Sequence, residues 1–257
     1  MKIGFFDSGL GGLIILRSTR KRMSEYDYMA YFDTANLPYG DKSEPEVCAL
    51  TVKGIANLYE NGCVLVVLAC NSASVRTLRY LQDTWLNNTY PDRKLLGVVI
   101  PTVETVVESG MKKVMLLATE RTISSNKYTM EIMKRDNTVS LDMVATPWLV
   151  PMLEKGEVSE AVESLKNILE RHIENNGEGV ILGCTHYSLL SSRLRLLYKG
   201  KLSFFSQDEI IPNKLENYFT RHPEIENRLS RGGTLIENHT GYVTTLPKQG
   251  GGYEAGV

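Results

Sequence analysis

Two short segments of the chain share one plan, and each contains a cysteine, Cys70 or Cys184. They occupy residues 67–74 and 181–188, where an apolar run and a small residue precede the cysteine and small polar residues follow it. This pattern predicts a buried strand that ends just before each cysteine and a helix that begins just after it. Two such halves facing each other would place two thiols on opposite sides of one cleft. Opposed thiols suit the removal of a proton from one face of a carbon atom and its return to the other face.

A thiol at the N-terminus of a helix is a competent base, because the helix dipole and the free backbone amides favour its thiolate. A lone cysteine there is more often a small buried packing residue. The interpretation of Cys70 and Cys184 as proton-transfer groups therefore rests on their pairing. Cys48 falls within a predicted helix and Cys63 opens a predicted strand. We interpret both as packing residues.

Two more residues could assist these thiols. Asp7 follows the first predicted strand and precedes a glycine-rich turn, where it could cap the next helix or hold a cysteine or a substrate ammonium group in place. His186 lies two residues after Cys184 and could act as its proton partner. The alternative is a histidine of the core whose hydrogen bonds are all made. Glu154, taken alone, reads as an ordinary surface carboxylate.

Composition sets broad limits on the class of protein. The 257 residues are 42% hydrophobic and 23% charged with a net charge of −1, which is typical of a globular protein that does not bind nucleic acid or an anionic membrane through bulk charge. The basic cluster at residues 17–22 reads as the solvated end of a helix, with a phosphate patch as the alternative. No apolar run is long enough to cross a membrane, and we expect no signal peptide. The cysteines do not indicate a disulfide framework. No cysteine and histidine spacing typical of a zinc site occurs, so we expect no metal.

Alternating apolar runs and amphipathic stretches predict an α/β fold with parallel sheets. The predicted strands are residues 3–6, 28–32, 64–69, 96–100, 114–118, 141–145, 179–182 and 202–205, and the predicted helices are residues 13–23, 44–60, 73–85, 102–109, 125–134, 158–174 and 188–197. Ligands of such sheets bind beyond the carboxyl ends of the strands. Small hydroxyl, amide or acidic residues follow nearly every strand, which predicts a small, polar, anionic ligand.

Seven segments together resemble one known family. They are residues 3–13, 33–40, 69–74, 97–101, 118–128, 149–151 and 182–187, in family order. On these motifs the chain resembles the glutamate racemases, a branch of the cofactor-independent aspartate/glutamate racemase superfamily. From about residue 190 to residue 245 the match is loose.

The resemblance implies two pseudo-symmetric α/β domains, each a mainly parallel sheet flanked by helices, with the active site in the cleft between them. Domain one would hold residues 1–98 with residues 208–245, domain two residues 99–207, and residues 246–257 would form a disordered tail. Cys70 and Cys184 would be the two proton-transfer groups, assisted by Asp7 and His186 respectively, with Glu154 supporting the second thiol. The implied substrate-binding residues are Ser8, Pro38, Tyr39, Gly40, Asn71, Ser72, Thr119 and Thr185.

The resemblance also implies the reaction, the partners and the setting. The expected activity is the interconversion of L- and D-glutamate without a cofactor, supplying D-glutamate for peptidoglycan in the cytoplasm of a bacterium. The expected partner is this small molecule, without a membrane or nucleic acid. The family forms homodimers by more than one interface, and nothing in the pattern chooses among them or decides on allosteric activation by a cell-wall precursor.

Several departures and alternatives stay open. Ser72 stands where threonine is usual, Asn36 where arginine is common, Phe32 where glycine is common and Ser188 where proline is common. None of these departures removes a catalytic group, and they bear on the shape of the pocket and so on the side-chain specificity. Other branches of the superfamily racemise aspartate or hydantoins, isomerise maleate or decarboxylate. A binding role, such as that reported for some glutamate racemases towards DNA gyrase, and thiol redox chemistry are the remaining alternatives.

Overall fold

Nine strands and thirteen α-helices make up residues 1–241, the part of the chain that the computed structural model describes. The strands are β1 Lys2–Asp7, β2 Tyr28–Phe32, β3 Cys63–Leu68, β4 Lys94–Gly97, β5 Lys113–Ala118, β6 Ser140–Ala145, β7 Gly179–Leu182, β8 Ser203–Ser206 and β9 Leu235–His239. The predicted tail, residues 246–257, lies outside the described residues.

The helices lie between and after the strands. They are α1 Gly12–Arg22, α2 Glu44–Glu60, α3 Asn71–Tyr80, α4 Asn87–Thr89, α5 Val99–Glu108, α6 Glu120–Ser124, α7 Lys127–Arg135, α8 Leu149–Glu154, α9 Val158–Ser164, α10 Lys166–Glu174, α11 Ser191–Leu197, α12 Gln207–Arg221 and α13 Pro223–Glu226. A π-helical segment, Leu81–Leu86, joins α3 to α4. Within residues 1–241, none of the helices combines the length and apolar character that crossing a membrane requires.

The strands form two entirely parallel sheets. The first has the order β4-β3-β1-β2-β9 and the second the order β6-β5-β7-β8. Residues of β1, β2, β3, β5 and β7 are almost fully buried, as expected for parallel strands that helices cover on both faces. The predicted fold class is therefore confirmed.

Each sheet has one point where the strand order reverses. In the first sheet β1 has β2 on one side and β3 on the other, and in the second sheet β5 has β6 on one side and β7 on the other. The carboxyl ends of β1 and β3, and those of β5 and β7, therefore flank the two crevices in which α/β sheets bind ligands. The repeat in the sequence corresponds to this repeat in the topology.

Some predicted boundaries were wrong. The strand predicted at residues 96–100 ends at Gly97, and Val99 already begins α5. Pro101 is tolerated there because the amides of a first helical turn have no intrahelical partner. The helix predicted at residues 158–174 is divided at Leu165, and the one predicted at residues 188–197 begins as a 3-10 helix, Thr185–Leu190, before α11.

The basic cluster ties α1 to the C-terminal part of the described chain. Arg20 donates to the carbonyl oxygen of Gly233, and Arg22 forms an ion pair with Glu216 on α12. These contacts support the interpretation of the cluster as the end of a helix.

Candidate active site

Cys70 and Cys184 occupy equivalent places in the two halves. Each is the second residue after a strand at a reversal point, β3 or β7, and each immediately precedes a helical segment, as predicted. Both side chains are buried, with 5% and 8% of their surfaces exposed. The sequence repeat therefore places one thiol in each of the two crevices.

The surroundings of Cys70 favour the protonated form of its thiol. Burial, and after it the neighbouring carboxylate of Asp7, raise the pKa of the thiol to about 12, although hydrogen bonds from Ser8 and the Ala73 amide lower it. The expectation that the start of α3 would favour a thiolate here is thus outweighed by desolvation. The raised pKa favours the thiol form of Cys70, the form that donates a proton.

Ser8 provides a direct hydrogen bond to this sulfur. The hydroxyl oxygen of Ser8 lies 3.2 Å from Sγ of Cys70, in the turn between β1 and α1. Once Cys70 loses its proton, the Ser8 hydroxyl is a donor that stabilises the negative sulfur. Ser8 is thus a supporting group of the first thiol as well as a predicted pocket residue.

Replacing Ser8 with alanine is expected to slow the alkylation of Cys70 about three- to tenfold at a fixed pH below 10, since the lost hydrogen bond stabilises the thiolate by roughly 1 kcal/mol. The measurement is the rate of iodoacetamide labelling at Cys70, followed by mass spectrometry. Ser72→Ala is the control, because the Ser72 hydroxyl lies 3.0 Å from Oγ1 of Thr119 and has no hydrogen bond to a sulfur within residues 1–241. Equal slowing in both variants would contradict this role of Ser8.

Asp7 connects the two halves of the site. Its Oδ2 accepts from the Gly12 amide at 2.8 Å and from the Thr185 hydroxyl at 3.4 Å. Its Oδ1 has no hydrogen-bond partner among the residues that the structure describes, although it is buried. Burial raises the pKa of Asp7, while His186 opposes that rise. Asp7 both caps the turn before α1 and lies between the two thiol-bearing segments.

Cys184 has a cationic neighbour. Its Sγ lies 3.9 Å from Nδ1 of His186, and Nε2 of His186 lies 3.3 Å from a carboxylate oxygen of Glu154, off the direction that a hydrogen bond requires. Burial alone would lower the pKa of His186, but Cys184, Glu154 and Asp7 raise it to about 10. The two halves therefore differ in the group beside the sulfur, which is the carboxyl group of Asp7 at Cys70 and the imidazole of His186 at Cys184.

Close packing brings the β1–α1 turn against the segment after β7. A Cβ atom added at Gly11 would lie 2.2 Å from Oγ1 of Thr185 and 2.7 Å from Nδ1 of His186. A side chain at this position would displace both groups. Gly11 thus lets the two halves of the site approach each other, which is the structural reason for a glycine there.

Apart from Asn71, the predicted pocket residues divide into two groups. Ser8, Ser72, Thr119 and Thr185 lie at the carboxyl ends of β1, β3, β5 and β7, around the two crevices. Tyr39 instead donates its hydroxyl to Asp33 at 2.7 Å and packs in the core cluster that includes Cys70. Among residues 1–241, no atom beyond the two chain neighbours lies within 4 Å of a Cβ built at Gly40, so the described part of the chain leaves open space beside the loop at residues 38–40.

The sequence reasoning missed two residues near the site. Arg121 donates from Nε to the carbonyl oxygen of Tyr39 at 3.0 Å, joining α6 to the loop at residues 38–40. Gln207 forms buried hydrogen bonds with Asn71. Gln207 begins α12 directly after β8, so the rule that located the other site residues at strand ends would also have found it. Arg121 is the third residue after β5, so it also lies at a strand end. Its contact with the loop at residues 38–40 had no signal in the sequence.

The site contains acid–base groups and hydroxyls without a cluster of metal ligands. In the described range, residues 1–241, no group of three or more histidine, cysteine, aspartate or glutamate side chains is arranged to hold a metal ion. What the arrangement can do is transfer protons, with a sulfur and a supporting charged group in each half.

Comparison with known proteins places this geometry in a family. The family model described as Asp/Glu/Hydantoin racemase matches residues 15–202. A protein of Dinoroseobacter shibae named glutamate racemase is 34% identical over 241 residues, covering 88% of this chain and 86% of that protein.

Solved structures agree in fold. A crystal structure of a glutamate racemase isoform from Bacillus anthracis superposes with a TM-score of 0.81 at 25% identity, covering 94% of this chain and 89% of that one. The glutamate racemase from Thermus thermophilus, in complex with β-chloro-D-alanine, gives a TM-score of 0.73 at 28% identity, covering 93% of this chain and 86% of that one.

Proposed function

Because this chain belongs to the Asp/Glu/Hydantoin racemase family, we infer that it is an amino-acid racemase that interconverts L- and D-glutamate. The observation that carries the mechanism is the placement of Cys70 and Cys184 at the two reversal points of the sheets, each with its own supporting charged residue. The match to glutamate racemases over most of their length favours glutamate over the substrates of the other branches.

We propose that the α-carbon of glutamate lies between the two sulfurs. One sulfur, as a thiolate, takes the α-proton, and the electron pair of the broken C–H bond delocalises into the α-carboxylate. The opposite sulfur, as a thiol, then gives its proton to the other face of the carbon. Each turnover inverts the configuration and exchanges the protonation states of the two cysteines, so L- and D-glutamate meet complementary forms of the enzyme.

The α-proton of an amino acid is weakly acidic, so the developing charge on the carboxylate must be stabilised. The hydroxyls of Ser8, Ser72, Thr119 and Thr185 surround the crevices, and the free amides at the start of α3 lie beside Cys70. We propose that these donors hold the two carboxylates of glutamate, since preorganised donors act strongest where charge develops. The protein groups supply both acid and base, and we propose that no cofactor takes part.

The domain boundaries and the setting also remain proposals. We propose that residues 1–98 with residues 208–245 form one domain and residues 99–207 the other. The membership of the two sheets supports this division up to residue 241, and residues 242–245 lie outside the described residues. D-Glutamate is a precursor of peptidoglycan, so we propose that the enzyme works in the cytoplasm of a bacterium and makes D-glutamate for the cell wall. A homodimer is the proposed assembly.

The activity has a direct test. L-Glutamate incubated with the enzyme in D2O, without added cofactor, should lose its α-proton signal in proton NMR and its circular dichroism together, and D-glutamate should do the same. Exchange without loss of optical activity would mean that only one thiol works. No change in either signal would overturn glutamate as the substrate, and aspartate would be tried next.

A further inference from the structure

Four buried polar side chains from four helices meet around Asn71, the residue that follows Cys70. They are Asn71, the first residue of α3, Thr102 on α5, Tyr128 on α7 and Gln207, the first residue of α12. At most 3% of the surface of any of them is exposed. A buried polar cluster of this kind is costly unless its hydrogen bonds are made, so its geometry is closely determined.

Asn71 and Gln207 form a reciprocal amide pair. Nδ2 of Asn71 donates to Oε1 of Gln207 at 2.7 Å, and Nε2 of Gln207 donates to Oδ1 of Asn71 at 3.0 Å. The hydroxyl of Tyr128 donates to the same Oδ1 at 2.9 Å. These bonds use the oxygen of Asn71 twice and its nitrogen once. An amide nitrogen carries two protons, so one N–H of Asn71 is left over.

A backbone carbonyl sets the direction of this network. The hydroxyl of Thr102 donates to the carbonyl oxygen of Val98 at 2.7 Å, so its oxygen is an acceptor for Nε2 of Gln207 at 3.3 Å. The nitrogen of Gln207 therefore faces Thr102 and Tyr128, and its oxygen faces the nitrogen of Asn71. With Gln207 fixed in this way, rotating the Asn71 amide by half a turn would oppose like groups in both bonds of the pair.

We propose that Gln207 is a positioning residue for the racemase reaction, acting through Asn71. It holds the Asn71 amide in the one orientation that leaves an N–H for an anionic ligand. It also holds the first turn of α3 in place, and the position of Cys70 depends on that turn. Gln207 is fully buried and acts only through its neighbour. The proposal rests on the proposed function for its effect on catalysis, but its effect on Cys70 stands without it.

The pair also connects the two sheets. Gln207 follows β8 of the second sheet, whereas Asn71 follows β3 of the first. Breaking the pair would uncouple the position of Cys70 from the sheet that carries Cys184. Relative placement of two proton-transfer groups is a quantity to which catalysis is sensitive, because small displacements of reacting groups are costly in rate.

The test is a double-mutant cycle of Gln207→Met and Asn71→Ala, with two readouts. The Gln207→Met variant keeps the side-chain length but makes no hydrogen bond, and we expect kcat/KM for glutamate to fall about tenfold to a hundredfold, with KM rising. In the Asn71→Ala background the same replacement should cause no further loss. Iodoacetamide labelling of Cys70 should be severalfold faster in Gln207→Met than in the wild type, again only when Asn71 is present.

Matched controls separate positioning from stability. Gln82→Met removes a glutamine whose amide donates to the carbonyl oxygen of Leu95 away from the site, and it should change neither readout. Gln207→Asn, which keeps a polar amide but shortens the side chain by one methylene group and so withdraws it from Asn71, serves if Gln207→Met does not fold. Losses that simply add in the double mutant, or an unchanged labelling rate at Cys70, would overturn the proposal. If Cys70 is labelled more slowly in the wild type than in Gln207→Met, as expected, but the wild type does not racemise glutamate, the proposed function would be overturned instead.

Discussion

Replacing either Cys70 or Cys184 with serine is expected to abolish racemisation, with kcat lower by a factor of about 10²–10⁴ or more, the typical contribution of one positioned proton-transfer group. A serine hydroxyl is a far weaker acid than a thiol, so it supplies neither the base nor the acid at neutral pH. Coupled chiral assays of both glutamate enantiomers measure the loss. Cys48→Ser, a change on α2 outside the two crevices, is the control and should retain full activity.

A substrate with a leaving group reveals which half of the site each variant keeps. With 3-chloroglutamate, the remaining thiolate takes the α-proton, the C–H electron pair forms the new carbon–carbon double bond, and chloride leaves with the pair of the C–Cl bond. The resulting enamine is hydrolysed by water to 2-oxoglutarate and ammonia. Each single variant should release 2-oxoglutarate from one α-configuration only, and the two variants should choose opposite configurations. Racemisation at the wild-type rate in either variant would refute the two-thiol mechanism.

The repeat around the two cysteines predicted the site because it reflects the topology directly. In both halves an apolar strand ends two residues before the cysteine, and a parallel sheet brings such ends to one edge. The α/β class followed from the apolar strands for the same reason. The local pattern predicted where each functional group lies along its own strand and helix.

Contacts between distant segments had no local signal. The strand β9 has partly exposed residues such as Glu237 and Asn238, because it lies at the edge of its sheet, and it lacks the apolar run that marks the inner strands. The pairing of Asn71 with Gln207 joins residues 136 positions apart. Likewise, the helix start at Cys70 predicted a favoured thiolate, whereas burial and the charge of Asp7 decide its protonation. Both of these are tertiary effects.

The other large effect is expected from replacing His186 with asparagine, which should lower kcat/KM about a hundredfold to a thousandfold. The imidazolium lies 3.9 Å from the Cys184 sulfur, and two unit charges at about that distance interact by roughly 4 kcal/mol at an effective dielectric constant near 20. The equilibrium constant between enantiomers is unity, so kcat/KM must fall equally for L- and D-glutamate. The difference between the two halves in this variant should instead appear in D2O. There the enantiomer whose α-proton faces Cys70 should retain more exchange of that proton for deuterium, without inversion, than the other enantiomer.

The pH dependence of stability gives an independent readout of the same residue. The pKa of His186 is raised to about 10, so its protonation stabilises the fold fully below its ordinary pKa near 6.5, and this contribution is lost as the pH rises through about 10. Thermal unfolding of the wild type should therefore lose stability across this window, and that of His186→Asn should not. His222→Asn, which removes an exposed histidine paired with Glu224 at 3.1 Å, should leave both activity and the pH profile unchanged. If His186→Asn kept the wild-type pH profile together with the wild-type rate, the cation beside Cys184 would have no part in the reaction, and the base in that half would have to be supported by Glu154 or by the helix start alone.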